Sequence, residues 1–169
     1  MLRQAYRMAA ASLGWFAIVL QYILILRYKA DGDLVAAAIR FLSYFTDLSN
    51  VLVALAMTLP WLAPDTLLGR FLSRPSVRAA ILIYIAVVAV IYHYLLAKLW
   101  NPQGWQLVVD TIEHVVTPTL YALDWVLFVP KGTLNYRSVF IWLVFPLVYA
   151  VYSLIHGAAP GSTLIPSST

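Results

Sequence analysis

The chain has 169 residues, of which 63% are hydrophobic and 11% charged, with a mean hydropathy of +0.84 and a net charge of +4. That composition excludes an ordinary soluble domain and points to an integral membrane protein folded as a single all-α transmembrane bundle. The absence of cysteine excludes disulfides, thiol catalysis and thiolate metal sites, and the basic residues, set mainly between apolar runs, call for no nucleic-acid partner.

A bilayer core about 30 Å thick is crossed by roughly 20 apolar residues of helix. Five stretches qualify: Met8 to Leu26, Ile39 to Leu62, Arg78 to Leu99, Trp105 to Phe128 and Tyr136 to His156. They are separated by the polar turn from Lys29 to Asp33, by Pro60 with Pro64, by Arg74-Pro75, by Asn101-Pro102 and by Pro130-Lys131-Gly132. The bundle is thus expected over residues 1–156, followed by a polar tail at 157–169. Arg3 and Arg7 before the first stretch suggest a signal peptide. Its length, and the Arg27 and Lys29 that follow it, favour an uncleaved first helix instead.

With the N-terminus in the cytoplasm, the inner side receives Arg3, Arg7, Arg70, Arg74, Arg78, Lys131 and Arg137, against Arg27, Lys29, Arg40 and Lys98 outside. The excess favours that orientation. The second and fourth stretches then both descend from the outer face. Thr46 and His114 each fall about eight residues in, roughly 12 Å deep at 1.5 Å per residue. His93 lies within about two turns of the same face, and His156 is shallower.

The fourth stretch is the most informative, because ionisable residues inside a span are costly and mark functional sites. Residues three and four apart share a helix side, so Asp110, His114, Thr117, Tyr121 and Asp124 form one stripe, and Ser43, Thr46, Asp47 and Asn50 form another on the second helix. Two polar stripes on apolar helices most economically face each other. Pro118 has no amide hydrogen for the His114 carbonyl, so irregular backbone is expected around His114. Structural readings stand beside these. Ser43, Thr46, Ser49 and Asn50 can bond neighbouring helices or their own backbone. Asp47 and Asp124 can be paired with Tyr, Arg or His for folding, Glu113 can reach the outer interface and be solvated, and His93 can satisfy an interhelical hydrogen bond. His114, with Asp110 one turn away, has the parts of an oriented general base.

There is no H-E-x-x-H zinc helix and no G-x-S-x-G elbow, which argues against those hydrolases, and no repeat of the kind that builds transporters. Taken together, Phe41 to Asn50 with its Phe45-Thr46 pair, the run Glu113-His114-Val-Val-Thr-Pro118, and Asp124-Trp125 resemble the bacterial branch of the androgen-induced and androgen-dependent membrane protein family. The resemblance covers roughly Phe41 to His156. It implies a six-helix fold in a bacterial inner membrane and a threonine hydrolase of fatty acid esters of hydroxy fatty acids, needing no cofactor. It places the nucleophile on Thr46 and the base on His114; Asp110, one turn from His114 on the same helix side, is the residue expected to orient the imidazole. Ser43 is a competing hydroxyl. The substrate-binding set is expected to include Ser43, Asp47, Asn50, His93, Thr117 and Tyr121, with Ser43 and Asn50 as oxyanion donors and His93 as a second base. Relatives continue into a sixth helix where this sequence has residues 157–169, so a bundle lacking that helix, or a homo-oligomer that completes it, is expected. Membrane lipids and a lipid ester are the expected partners. The alternative is a non-catalytic bundle that binds lipid, or haem through two of His93, His114 and His156.

Overall fold

The computed structural model describes residues 1–99, 101–135 and 137–158, and among these the chain is all α-helical, with no strand. The first unit, Met1–Leu134, holds helices α1 (Leu2–Tyr28), α2 (Leu34–Leu42), α3 (Phe45–Leu62), α4 (Leu67–Ser73), α5 (Pro75–Ile91), α6 (Trp105–Thr111) and α7 (Thr117–Phe128). The second unit holds α8 (Arg137–Trp142) and α9 (Val144–Ala158), with the Tyr152 and His156 rings stacked at 5.7 Å on α9. The expected start of the last span, Tyr136, and the tail beyond residue 158 lie outside the described residues.

Among the described residues, four helical stretches are long and apolar enough to cross a membrane: Leu2–Tyr28, Phe45–Leu62, Pro75–Leu96 and Arg137–His156. The stretch expected over Trp105 to Phe128 is helical throughout, but its ionisable residues leave it less apolar than these four. In the first unit it packs against α1, α3 and α5, which offset those polar groups from within the protein. It runs antiparallel to α1. Gln106 at its start donates to Gln21 at 3.1 Å, and the Tyr6 hydroxyl donates to the Leu120 carbonyl at 2.6 Å near its end.

The main helix pair is α1 with α3, which meet through small residues: a methyl group added at Gly14 would touch Ala54 at 3.7 Å. The Trp15 indole donates to Thr58 at 3.1 Å across the same seam. Ala11, Met57, Ile81, Ile85 and Tyr121 close the core between α1, α3, α5 and α7.

The expected single span from Ile39 to Leu62 is instead two helices. Asp33 accepts the amides of Val35 and Ala36 at 2.8 and 3.0 Å and so starts α2 five residues earlier, at Leu34. The helix stops because Ser43 and Tyr44 turn tightly, their amides bonding Arg40 and Phe41 carbonyls three residues back, and Tyr44 is extended (φ −99°, ψ 120°). Thr46 therefore stands in the first turn of α3 and not eight residues inside a continuous helix. At its other end, α5 begins at Pro75, ahead of the expected Arg78, since proline suits the first helical position.

Candidate functional site

Two π-helical turns interrupt otherwise regular helices of the first unit, Tyr92–Leu96 after α5 and Ile112–Val116 between α6 and α7. Such turns recur at functional sites because they displace side chains from α-helical register. The cause of the second is legible in the sequence. With the Thr117 amide bonding the Ile112 carbonyl, the next bond in π register would run from residue 118 to Glu113, and Pro118 has no hydrogen to give. Asn50 of α3 takes its place: its amide nitrogen donates to the Glu113 carbonyl at 3.4 Å and to the Thr46 carbonyl at 3.0 Å. The irregular backbone expected at His114 is thus present, and a side chain of the facing polar stripe covers its orphaned carbonyl.

The two π turns bring Tyr92 and His114 face to face, with ring centres 3.9 Å apart and planes inclined by 21°. The Tyr92 hydroxyl donates to the Asp110 carboxylate. His114 Nδ1 lies 3.0 Å from the Asp110 main-chain carbonyl and 3.5 Å from Asp110 Oδ1. Both neighbours are acceptors, so Nδ1 carries the hydrogen and Nε2 keeps its lone pair. Asp110 holds the imidazole mainly through its backbone, and Tyr92 fixes the ring plane.

Beside this clamp is a cavity of about 210 Å³. Thr46 and Asp47 from the start of α3 line it, with Asp110, Glu113 and His114 from the facing helix and Tyr92 and Leu96 from the other π turn. Gln21, Gln106, Tyr44 and the exposed Lys29 complete the wall. Thr46 and His114 line the cavity without a hydrogen bond between them, as is common before substrate is bound. The first turn of α3 leaves the amides of Thr46 and Asp47 without intrahelical acceptors, and Tyr44 supplies no side-chain cap. Asp47 Oδ2 and Glu113 Oε1 are buried without a hydrogen-bond partner among the described residues.

Of the expected residues, Thr46, Asp47, Asp110 and His114 converge on the cavity, and the remaining five do not line it. Ser43 is buried and its hydroxyl donates to the Ile39 carbonyl at 2.7 Å, closing off its own helix end. Asn50 is committed to two backbone carbonyls. Neither has its donor hydrogens turned toward the cavity, and the uncapped amides of α3 are the donors placed beside Thr46. His93 is exposed and meets the Tyr92 ring edge-on, Thr117 is buried and does not line the cavity, and Tyr121 is buried in the core with its ring beside Arg78. One histidine of the three belongs to the cavity, and no cluster of three metal-ligating side chains occurs among the described residues.

Glu113, expected at a solvated interface, is 2% exposed and lines the cavity. The extra residue in the π turn rotates it inward toward α3, a displacement that α-helical spacing does not show. Tyr92, Gln21 and Gln106 were not singled out by the sequence. Gln21 carries the one available signal, an amide in the middle of an apolar run.

Asp124 forms a separate polar centre with the charges flanking the first and third spans. It pairs with Arg7 through Nε at 2.5 Å and Nη2 at 3.0 Å, and with Arg78 Nη2. Its side chain is fully buried, and Arg78 also donates to the Ala56 carbonyl at 3.1 Å. The expected stripe on the fourth stretch is therefore cut in two, Asp110 and His114 serving the cavity and Tyr121 and Asp124 the arginines.

Comparison with known protein families, with curated proteins and with solved structures finds none that the chain matches.

Proposed function

We propose that the chain is an intramembrane hydrolase of lipid esters in which Thr46 is the nucleophile and His114 the base, related to the threonine hydrolases that its sequence resembles and residing in a bacterial inner membrane. The observation that carries the reading is that a threonine hydroxyl and an imidazole with a fixed, available Nε2 line one cavity. A hydroxyl is a weak nucleophile until a positioned base takes its proton.

In this mechanism Thr46 Oγ1 attacks the ester carbonyl as His114 Nε2 takes its proton. The negative charge on the carbonyl oxygen is met by the amides of Thr46 and Asp47 at the positive end of α3. Collapse of the tetrahedral species breaks the bond to the alcohol oxygen, which receives the proton from His114 and leaves an acyl ester on Thr46. Water, deprotonated by His114, then attacks that ester, and His114 returns the proton to Thr46 Oγ1 as its bond to the acyl carbon breaks, releasing the fatty acid and free Thr46. The Asp110 carbonyl steadies the imidazolium formed in each half.

The size of the cavity suits a lipid. At about 210 Å³ it is smaller than the roughly 300–1,000 Å³ of sites that enclose a whole ligand. It holds an ester group and a few carbons, while the acyl chain passes Leu96, 44% exposed at the rim, into the bilayer. With the N-terminus inside, the cavity opens toward the outer surface, from which water enters past Lys29. The test is hydrolysis of fatty acid esters of hydroxy fatty acids in proteoliposomes. Loss of the base or nucleophile is expected to lower turnover by at least about 100-fold in Thr46→Ala and His114→Ala. Turnover retained in Thr46→Ala would remove the proposed nucleophile, and no turnover by the unaltered protein toward any ester would favour a non-catalytic lipid-binding bundle.

A further inference from the structure

At the opposite end of the first unit from the His114 cavity is a larger one, of about 390 Å³. Arg3, Arg7 and Arg78 line it, with Gln4, Ser73 and Trp61 among the remaining wall residues, and no carboxylate does. The charges do not balance. Asp124, buried behind the wall, answers both Arg7 and Arg78, and among the described residues no carboxylate lies within 4 Å of Arg3. Three guanidinium groups against one carboxylate leave an excess of two positive charges. Within that excess, Arg78 has a side chain 4% exposed, and its Nε has no acceptor among the described residues.

Arginine is the side chain best matched to phosphate, because its planar fork gives parallel hydrogen bonds to two oxygens. Asp124 fixes Arg7 and Arg78 in advance, so an arriving anion does not bear the cost of ordering them. Arg3, exposed on the first turn of α1, is the third guanidinium of the wall and the one without a carboxylate partner among the described residues. Trp61, 37% exposed at the rim, is a residue type that settles at headgroup depth.

We propose that this cavity binds a phosphate group, carried by a lipid headgroup or free in solution, through Arg3 with Arg7 and Arg78. The site does not depend on the hydrolase reading, since none of its residues touches the His114 cavity.

The test uses the full chain purified in an uncharged detergent, with thermal unfolding followed at constant ionic strength. The probes are inorganic phosphate and dioctanoyl phosphatidic acid, with chloride and dioctanoylglycerol as controls. A phosphate-bearing probe is expected to raise the midpoint saturably, and Arg3→Glu to weaken its half-saturation by at least about tenfold, as loss of a charge-assisted contact implies. The midpoint without probe is not lowered in that variant, because Arg3 is exposed and has no carboxylate partner among the described residues. Gln4→Glu, which adds a negative charge to the same wall, weakens the probe as well, whereas Thr46→Ala leaves it untouched. A response to both probes identifies free phosphate as a ligand, and a response to phosphatidic acid alone identifies the lipid headgroup. No saturable response to either, or a half-saturation in Arg3→Glu and Gln4→Glu equal to that of the unaltered protein, overturns the proposal.

Discussion

Replacing Asp124 by leucine removes the acceptor shared by two guanidinium groups, and the structure sets the size of the consequence. Three charge-assisted hydrogen bonds are lost, two from Arg7 and one from Arg78. At about 1.5–3 kcal/mol each they would sum to more than the variant costs, because the two arginines are not equally trapped. Arg7 lines an open cavity and can turn its head toward water. Among the described residues Arg78 then keeps only the Ala56 carbonyl as acceptor, and it stays buried with its charge unanswered. The cost is therefore set mainly by one uncompensated buried charge, about 3–5 kcal/mol. Removing that charge as well, in Asp124→Leu with Arg78→Leu, is expected to recover about 2 kcal/mol, because a buried pair replaced by apolar groups is often close to neutral. Unfolding of the detergent-solubilised protein by dodecyl sulfate, followed by circular dichroism, measures both. A single-variant loss below about 1 kcal/mol, or a double variant as costly as the sum of its parts, would refute the view that Asp124 holds together the end of the first unit where Arg7 and Arg78 lie.

Three other substitutions probe different levels of the account. Asn50→Ala leaves the Glu113 carbonyl without its donor and is expected to cost about 1–2 kcal/mol; in a Pro118→Ala background, where a backbone amide is restored, it costs less, and a double-mutant cycle with no coupling would contradict the role given to Asn50. Gly69→Ala would put a methyl group 2.1 Å from the Ala63 carbonyl oxygen on the tight turn between α3 and α4. Backbone has to move, so a loss of about 1–3 kcal/mol in the same unfolding assay is expected, and unchanged stability would show that the turn is looser than described. Tyr92→Phe keeps the ring stacked on His114 but deletes the hydroxyl that orients Asp110. Ester hydrolysis is expected to fall by roughly tenfold in kcat with KM little changed, and an unchanged kcat would show that the Asp110 carboxylate has no part in positioning the base.

Helix content, the facing polar stripes and the irregularity at His114 were legible because each follows from residue type alone: apolar runs, three- and four-residue spacing, and a proline without an amide. The position of Thr46 was reached by a different route from the one that holds it. Ile39 to Leu62 reads as one apolar span, and nothing in its hydropathy reports that Ser43 and Tyr44 turn the chain. Thr46 nonetheless lines the same cavity as His114, since the break only moves it from mid-helix to a helix start there. Glu113, Thr117 and Tyr121 were misplaced because helical spacing was extended through a π turn, after which the same residues point elsewhere. The pairing of Asp124 with arginine was open from the sequence. Its partners, Arg7 and Arg78, come from two other helices, and which guanidinium reaches which carboxylate depends on packing that composition does not contain.

The central claim is that the Thr46 hydroxyl is activated by His114. Reaction of the purified protein with a fluorophosphonate, followed by mass spectrometry of its peptides, tests it most directly. A phosphonyl adduct on Thr46 that is lost in His114→Ala is the predicted result. An unlabelled Thr46 in folded protein, or labelling undiminished by His114→Ala, would contradict it.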